Sequence, residues 1–373
     1  MKATLHNVQM LRFLAASMVL VSHLQHEVPS VRGLNTAGYS PWKPIWLAGG
    51  VDIFFVISGF IMYVIAADTF GKSGSARNFL MRRWVRVVPP YWLFTTAMLL
   101  AAILFKDQVA HAALSVPHII ASYLFLPWKN PYGQFYPILM LGWTLNFEML
   151  FYFIFSLALR FSLPLGLGVI VTTISGIAIC GVLFDFRDSA LAFWCNPIVL
   201  EFLFGIALAF AFRQGVRWSL AGGLLSITAG FGLMVWMQYS GIAGNYWSAR
   251  FLWMGLPALL VCTGAVLSEK QGEPNRIQRA MSVGGDASFV LYLSHPFSLA
   301  MVASVWPMLG IHSPVAYVVC AGIAAFAAAV VLYQWIEKPS MIYLNKVFFP
   351  KPQVLTFIAG QPISMHLPGT VKP

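Results

Sequence analysis

Charged side chains are the scarcest class in this sequence: Asp, Glu, Lys and Arg make up 9% of its 373 residues, where a soluble domain carries roughly 25%. With 59% hydrophobic residues and a mean hydropathy of +0.76, that shortage excludes a soluble globular chain. What remains is a polytopic membrane protein. Acidic residues are rarer still, 12 against 23 basic ones, for a net charge of +11. Such a balance suggests nucleic acid when the cations share one surface. Here they sit in short segments between apolar runs, as topology signals do, so no nucleic-acid partner is expected. Cysteine is also rare. Cys180, Cys195, Cys262 and Cys320 lie in or beside apolar segments without CxxC spacing, which suggests neither a disulfide framework nor a metal site. The first apolar run lacks a small-residue cleavage signal and contains Arg12, so it reads as a retained helix rather than a signal peptide.

Long apolar runs are what the chain does have. A helix needs about 20 mostly apolar residues to cross a bilayer. Ten such spans are present, near 8–27, 46–67, 87–105, 139–159, 163–183, 195–212, 218–238, 250–268, 287–309 and 314–335. The fold class is therefore all-α, with about ten transmembrane helices. The stretch "AALSVPHIIASYLFLP" (112–127) is shorter and broken by proline, and reads as an interfacial or re-entrant element. The spans make a membrane domain over 1–343, followed by a tail over 344–373. With the N-terminus inside, sixteen lysines and arginines fall on inner segments. Only Arg32, Lys43, Lys106, Lys129, Arg187 and Arg250 fall outside, with Arg12 left within a span. This bias places both termini in the cytoplasm.

Ionisable residues inside spans mark sites by default, because the bilayer core penalises them. "RFLAASMVLVSH" puts Arg12 near the inner end of the first helix and His23 toward its outer end. Eleven residues amount to about 16 Å and about three turns, so the two side chains share nearly one face. A snorkelling arginine with an interfacial histidine is one account and a functional pair is the other, and these residues alone weigh them evenly. His26 adds an HxxH with no carboxylate nearby, too little for a metal. In "GGVDIFFVISGFIMY", Asp52 enters the second helix from outside. It is either a helix-end aspartate favoured by the dipole or the partner of a histidine on a packed neighbour. Gly59 is most simply a close-packing position.

In "GWTLNFEMLFY", Trp143 is a good interfacial anchor. Glu148 lies deeper, among Phe147, Met149, Leu150 and Phe151, and is better explained by function. "FLMRRWVRVVPPYW" gathers Arg82, Arg83 and Arg86 within five residues, with Trp84, Tyr91 and Trp92 close by. Either this is an ordinary basic inner loop, or the arginines grip phosphates bidentately while the rings stack on a purine. "DASFVLYLSHPF" sets Ser288, Tyr292 and His295 at increasing depth in the ninth helix, with Pro296 loosening the backbone. As a hydrogen-bonded structural residue, His295 needs no further role. Glu337 can pair with one of the inner arginines.

Sorted by depth, His23, Asp52 and Glu148 fall in the outer half, Arg12 and the arginine block inside, and His295 between. Acyl-coenzyme A has a matching shape, with phosphates and adenine at one end and a thin arm carrying a thioester at the other. Ten helices with ionisable residues at mid-depth equally suit a proton-coupled carrier or a flippase of a lipid-linked sugar.

Five motifs in register lift that balance: Arg12-x10-His23, "GGVDIFFVISGF", "RRWVRVVPPYW", "WTLNFEMLFY" and "YLSHPF". Together they resemble the acyltransferase 3 family of integral-membrane acyltransferases, and within it the bacterial exopolysaccharide O-acetyltransferases of the succinoglycan type. They cover the first four helices and the ninth, while 160–285 adds little beyond hydrophobicity. The resemblance implies a ten-helix core in the bacterial inner membrane. This core would move an acyl group, usually acetyl, from cytoplasmic acyl-CoA (acetyl-CoA) to a sugar hydroxyl. It implies that Arg12 and His23 are essential and that Arg82, Arg83 and Arg86 serve the donor, with Tyr91, Trp92, Tyr292 and His295 beside them. In the scheme that follows, neutral His23 is the general base. Asp52 or Glu148 orients its ring as the third member of a triad does, and Arg12 holds the donor or stabilises the oxyanion. An acyl-histidine intermediate is the rival scheme. Trp143, Asp52 and Glu148 would face the carbohydrate acceptor, and Trp42, Trp46, Trp128, Tyr132 and Tyr136 offer stacking surface. Many relatives carry an SGNH-type esterase-like domain after the helices. This chain ends soon after its tenth, which suggests a stand-alone enzyme acting on a repeat unit, an oligosaccharide or another small hydroxylated molecule.

Overall fold

A computed structural model describes the chain apart from residues 1–4, 37–38, 40–44, 106–113, 185, 187–188, 242–248, 270–272, 350–356, 359–360 and 363–373. Trp42 and the charges Lys2, Lys43, Lys106, Arg187, Lys270, Lys351 and Lys372 therefore lie outside the described residues, as does most of the 344–373 tail.

Helices account for nearly all of the described chain. In order they are α1 (His6–Glu27), α2 (Gly49–Ala66), α3 (Ser75–Leu104), α4 (Val116–Tyr123), α5 (Trp143–Ala158), α6 (Leu163–Leu183) and α7 (Ala190–Trp194). Then follow α8 (Leu200–Arg213), α9 (Leu220–Tyr239), α10 (Leu256–Leu267), α11 (Arg276–Val305), α12 (Pro314–Leu332) and α13 (Lys338–Phe348). Short 3-10 and π-helical turns join several of them, and two antiparallel two-residue strands, Phe357–Ile358 and Gln361–Pro362, are also described. Among the described residues, nine helices are long and apolar enough to span a bilayer, and Phe251–Leu267 makes a shorter tenth. The protein is a multi-pass membrane protein.

Each expected span meets a helix, but two begin much earlier than hydropathy alone indicates. The third starts at Ser75 rather than 87 and the ninth at Arg276 rather than 287. Hydropathy registers the part of a helix that sits in lipid, while both helices continue into polar turns. The arginine block is thus helical rather than a loop. Pro89 and Pro90 lie inside α3; each lacks an N–H, so the carbonyls of Val85 and Arg86 lose their usual helical donors while the helix continues. At the other end of the chain, a π-helical turn (Tyr333–Glu337) joins α12 to α13, and Tyr343 falls inside α13.

The 112–127 stretch contains α4, eight residues long and at 1.5 Å per residue far too short to cross. Ser115 caps it by accepting from the His118 N–H, and the chain turns back after it through Phe125 at φ 57°. Tyr91 and Trp92 of α3 fasten it through hydrogen bonds to the carbonyls of Ser122 and Tyr123.

Of the spans, α2 is the central post, with 89% of its apolar window buried, against 22% for α6, α9 and the α12 segment at the periphery. Exposed Leu225, Val182 and Ile323 on those outer helices suit a lipid surround. Small residues let the central helices close up. A Cβ on Gly59 of α2 would meet the Phe202 carbonyl of α8 at 2.1 Å. A Cβ on Gly285 of α11 would meet the Gln9 carbonyl of α1 at 2.4 Å. That second approach sets α1 beside α11, the two helices that build the site.

Candidate active site

Along the α1–α11 seam the first bridge lies near the inner end. Gln9 donates to Asp286 Oδ1 at 2.8 Å, and Arg12 Nη1 donates to Gln9 Oε1 at 3.3 Å. Arg12 is thereby held in place and buried. Farther out, His23 Nδ1 lies 2.9 Å from His295 Nε2. His295 is fully buried, and its Nδ1 lies 3.0 Å from the Leu291 carbonyl.

That chain of contacts fixes the tautomers. A carbonyl can only accept, so His295 carries its proton on Nδ1. Neutral His295 then offers a lone pair at Nε2 and accepts from His23 Nδ1–H. The neutral His23 ring is left with a bare Nε2, the arrangement a general base requires. The local sequence supports it: Pro296 has no N–H, so the Tyr292 carbonyl loses its helical donor and α11 is loosened beside His295.

One cavity borders His23, and a second lies farther in, past Tyr292. The inner one, about 100 Å³, is lined by Arg12, Ser58, Arg83, Arg86, Thr144, Glu148, Tyr152 and Tyr292 among others. Glu148 accepts from Ser58 Oγ at 3.1 Å and from the Tyr152 hydroxyl. The Arg83 guanidinium lies 6.0 Å from the Tyr152 ring centroid. Arg86 Nη1 donates to Glu337 at 2.9 Å, the pairing expected for one inner arginine, with Glu337 held by the π turn. Arg86 Nη2 is buried with no partner among the described residues, so it can still serve an anionic group. Arg82 turns away from the cavity and lies over the Phe349 ring at 4.4 Å.

The outer cavity, about 250 Å³, is lined by His23, His118, Asn130, Gln134, Tyr136 and Pro296, with Leu139 and Leu141 in its wall. A thin layer separates it from the inner one. Tyr292 donates to the Leu141 carbonyl at 3.0 Å and lies 2.9 Å from Thr144 Oγ1. The Tyr292 and His295 rings are 6.5 Å apart.

Several placements differ from the sequence reading. Asp52 is not the partner of His23: it is fully buried and bound bidentately by Arg250, at 2.6 and 3.0 Å. The partner of a buried carboxylate is the nearest desolvated cation, and Arg250 also donates to the Ala48 carbonyl beside it. Nor does Glu148 reach His23, because the Ser58 and Tyr152 hydroxyls and the arginines of the inner cavity hold it on that side. The ring partner of His23 is His295 instead. Tyr91 and Trp92 sit with α4 rather than with the donor arginines, since their polar atoms satisfy its carbonyls. Trp143 packs edge-to-face on Phe147 at 6.1 Å and lines neither cavity. His26 Nδ1 is 2.7 Å from the Ser22 carbonyl, and among the described residues no cluster of His, Cys, Asp or Glu could hold a metal. Missed altogether were Arg250, His118 and Tyr152, of which only Tyr152 had a visible signal, four residues after Glu148.

The helical bundle thus holds a cationic cavity and a histidine-lined cavity close together. The chain belongs to the acyltransferase 3 family, whose profile, described as acyltransferase domain, matches residues 5–334. It is 33% identical over 298 residues to the exopolysaccharide production protein ExoZ of Rhizobium meliloti (strain 1021), covering 78% of this chain and 89% of that one. It is 26% identical over 367 residues to nodulation protein 10 of Rhizobium leguminosarum bv. viciae, covering 90% and 93%. No solved structure matches it significantly.

Proposed function

We propose that this acyltransferase sits in the bacterial inner membrane and moves an acyl group, acetyl in the first instance, from cytoplasmic acyl-CoA to a sugar hydroxyl of an exopolysaccharide unit or its precursor. The observation that carries this reading is the His23–His295 pair, which leaves a bare imidazole nitrogen on a residue that lines the outer cavity. The likeness to the exopolysaccharide production protein supports the acceptor class, and the charge bias supports donor entry from the cytoplasm.

The donor arm runs through the inner cavity past Tyr292, with its phosphates toward the inner end of α3. Arg12 and Arg83 line this cavity, and Arg86, engaged by Glu337 through Nη1, adds its remaining Nη2 toward the donor's charged end, whereas Arg82 lies outside it. Arg12 cannot act at the reacting carbonyl. It lies about 16 Å down the helix from His23, whereas a base must come within about 3 Å of its proton. Its role is to hold the donor. Glu148, tied to Ser58 and Tyr152, fixes the shape of the same passage.

In the reaction the acceptor hydroxyl oxygen attacks the thioester carbon while its proton passes to His23 Nε2. The carbon–sulfur bond then breaks, and the coenzyme thiolate takes up that proton to leave as the free thiol. His295 orients the base and shares its charge through the Nδ1 hydrogen bond. A base so placed contributes roughly 10²–10⁴-fold.

The test is mass spectrometry of exopolysaccharide repeat-unit oligosaccharides after incubation with the purified protein and acetyl-CoA. A 42 Da gain that requires both protein and donor is expected, as acetyl replaces hydrogen. Unchanged oligosaccharides with intact donor, together with their passage across proteoliposomes, would favour a carrier instead.

A further inference from the structure

Resting on the transferase reading above, we propose that the outer cavity is the acceptor-sugar subsite and that α4 with the 130–138 loop forms its selectivity wall. The cavity and His23 share a boundary, so a hydroxyl bound there lies next to the base. Its chemistry suits one pyranose ring. Met98, Ala102, Leu139 and Pro296 provide apolar surface for a ring face, while His118, Asn130, Gln134 and Tyr136 supply polar groups. At about 250 Å³ it falls below the roughly 300–1,000 Å³ of pockets that take drug-sized ligands. It therefore holds a single sugar unit rather than an oligosaccharide.

The decisive group is His118. Its Nε2 lies 2.8 Å from the Tyr136 carbonyl, which can only accept, so Nε2 carries the proton. Nδ1 is then a bare acceptor, and it is buried with no partner among the described residues. The ring itself is 4% exposed. A buried acceptor left without a donor is costly, and a sugar hydroxyl donating to Nδ1 would remove that cost. The wall is built to hold its form: Asn130 Oδ1 accepts from the N–H groups of Tyr132 and Gln134, and Ser122 Oγ accepts from the Ile138 N–H. Tyr91 and Trp92 tie its inner edge to α3. The two aromatic residues expected to stack on the coenzyme thus support the acceptor side.

The test places a cysteine at Gln134, an exposed side chain on the cavity rim. Gln134→Cys is introduced with Cys180→Ser and Cys320→Ser, which remove the less buried native thiols. Labelling by a membrane-impermeant maleimide is followed in vesicles with methyl glucoside, methyl galactoside or coenzyme A at millimolar concentration. At least a threefold slowing by a glycoside, and none by coenzyme A alone, is expected. His118→Gln in the same background should weaken that protection, with global folding checked by its melting curve. No slowing by either glycoside, or slowing by coenzyme A alone, overturns the proposal. The oligosaccharide mass assay on the unmodified protein separates the two readings. Transfer without glycoside protection sinks only the subsite, and protection without transfer sinks only the transferase mechanism.

Discussion

His23 and His295 meet nitrogen to nitrogen at 2.9 Å, although 272 residues separate them in sequence. Because the Leu291 carbonyl holds the far nitrogen of His295, this one hydrogen bond decides which nitrogen of His23 is free. The base and its orienting partner are both imidazoles, where a triad places a carboxylate. In a neutral pair no buried charge has to be maintained between turnovers, and that suits a site embedded in lipid.

His295 is accordingly a positioning residue. Substituting His295→Gln should lower kcat by roughly 10²-fold, with the KM for acetyl-CoA nearly unchanged and the pH–rate profile displaced. A purely structural role would alter stability and leave the pH profile of the surviving activity in place.

Asp52 and Arg250 form a buried ion pair, and neither residue lines either cavity. Breaking it from one side strands a charge and should cost about 3–5 kcal/mol. Arg250→Met alone should therefore destabilise the detergent-solubilised protein more than the double variant Asp52→Asn/Arg250→Met. Melting curves of the three proteins check this. Equal melting of the single and double variants would show that the pair is not coupled.

Glu148 and Tyr152 belong to the donor passage. Tyr152→Phe removes one hydrogen bond to the carboxylate, worth about 1.5–3 kcal/mol when the acceptor is charged. The KM for acyl-CoA should rise several-fold with that for the acceptor unchanged. Steady-state titration of each substrate separates the two.

Glu269 gives a pH signature outside the membrane spans. It accepts from the Asn7 N–H at the start of α1 at 3.1 Å, and burial pushes its carboxyl up to about 7 from an ordinary 4.5. The folded state prefers the protonated form, so this contribution is complete below about pH 4.5 and is lost as pH rises through about 7. The melting temperature should fall between pH 5 and pH 8 in the native protein and fall less in Glu269→Gln. Parallel slopes would contradict the assignment.

Much of the fold could be read from the sequence because its signals are local. Hydropathy marks the spans, and Arg12, His23 and Glu148 stand out against apolar neighbours. Pairings across helices leave no such trace. Arg250 looked like one of a few outer cations and Asp52 like a candidate triad member, yet packing joined them across 198 residues. His118 lay in a broken apolar stretch with nothing to mark it, since its role comes from a carbonyl eighteen residues on. Tyr91 and Trp92 followed the arginines in sequence but sit about 7 Å or more farther along α3, enough to move them from the donor side to α4.

The central claim is that His23 is the base of an acyl-CoA-dependent transfer. Thiol release from acetyl-CoA by purified protein tests it, with and without oligosaccharide acceptor, comparing native protein and His23→Ala at matched melting temperature. The account predicts acceptor-dependent release that drops by at least about 10²-fold in the variant, with donor KM unchanged. Equal release from the two proteins would contradict it.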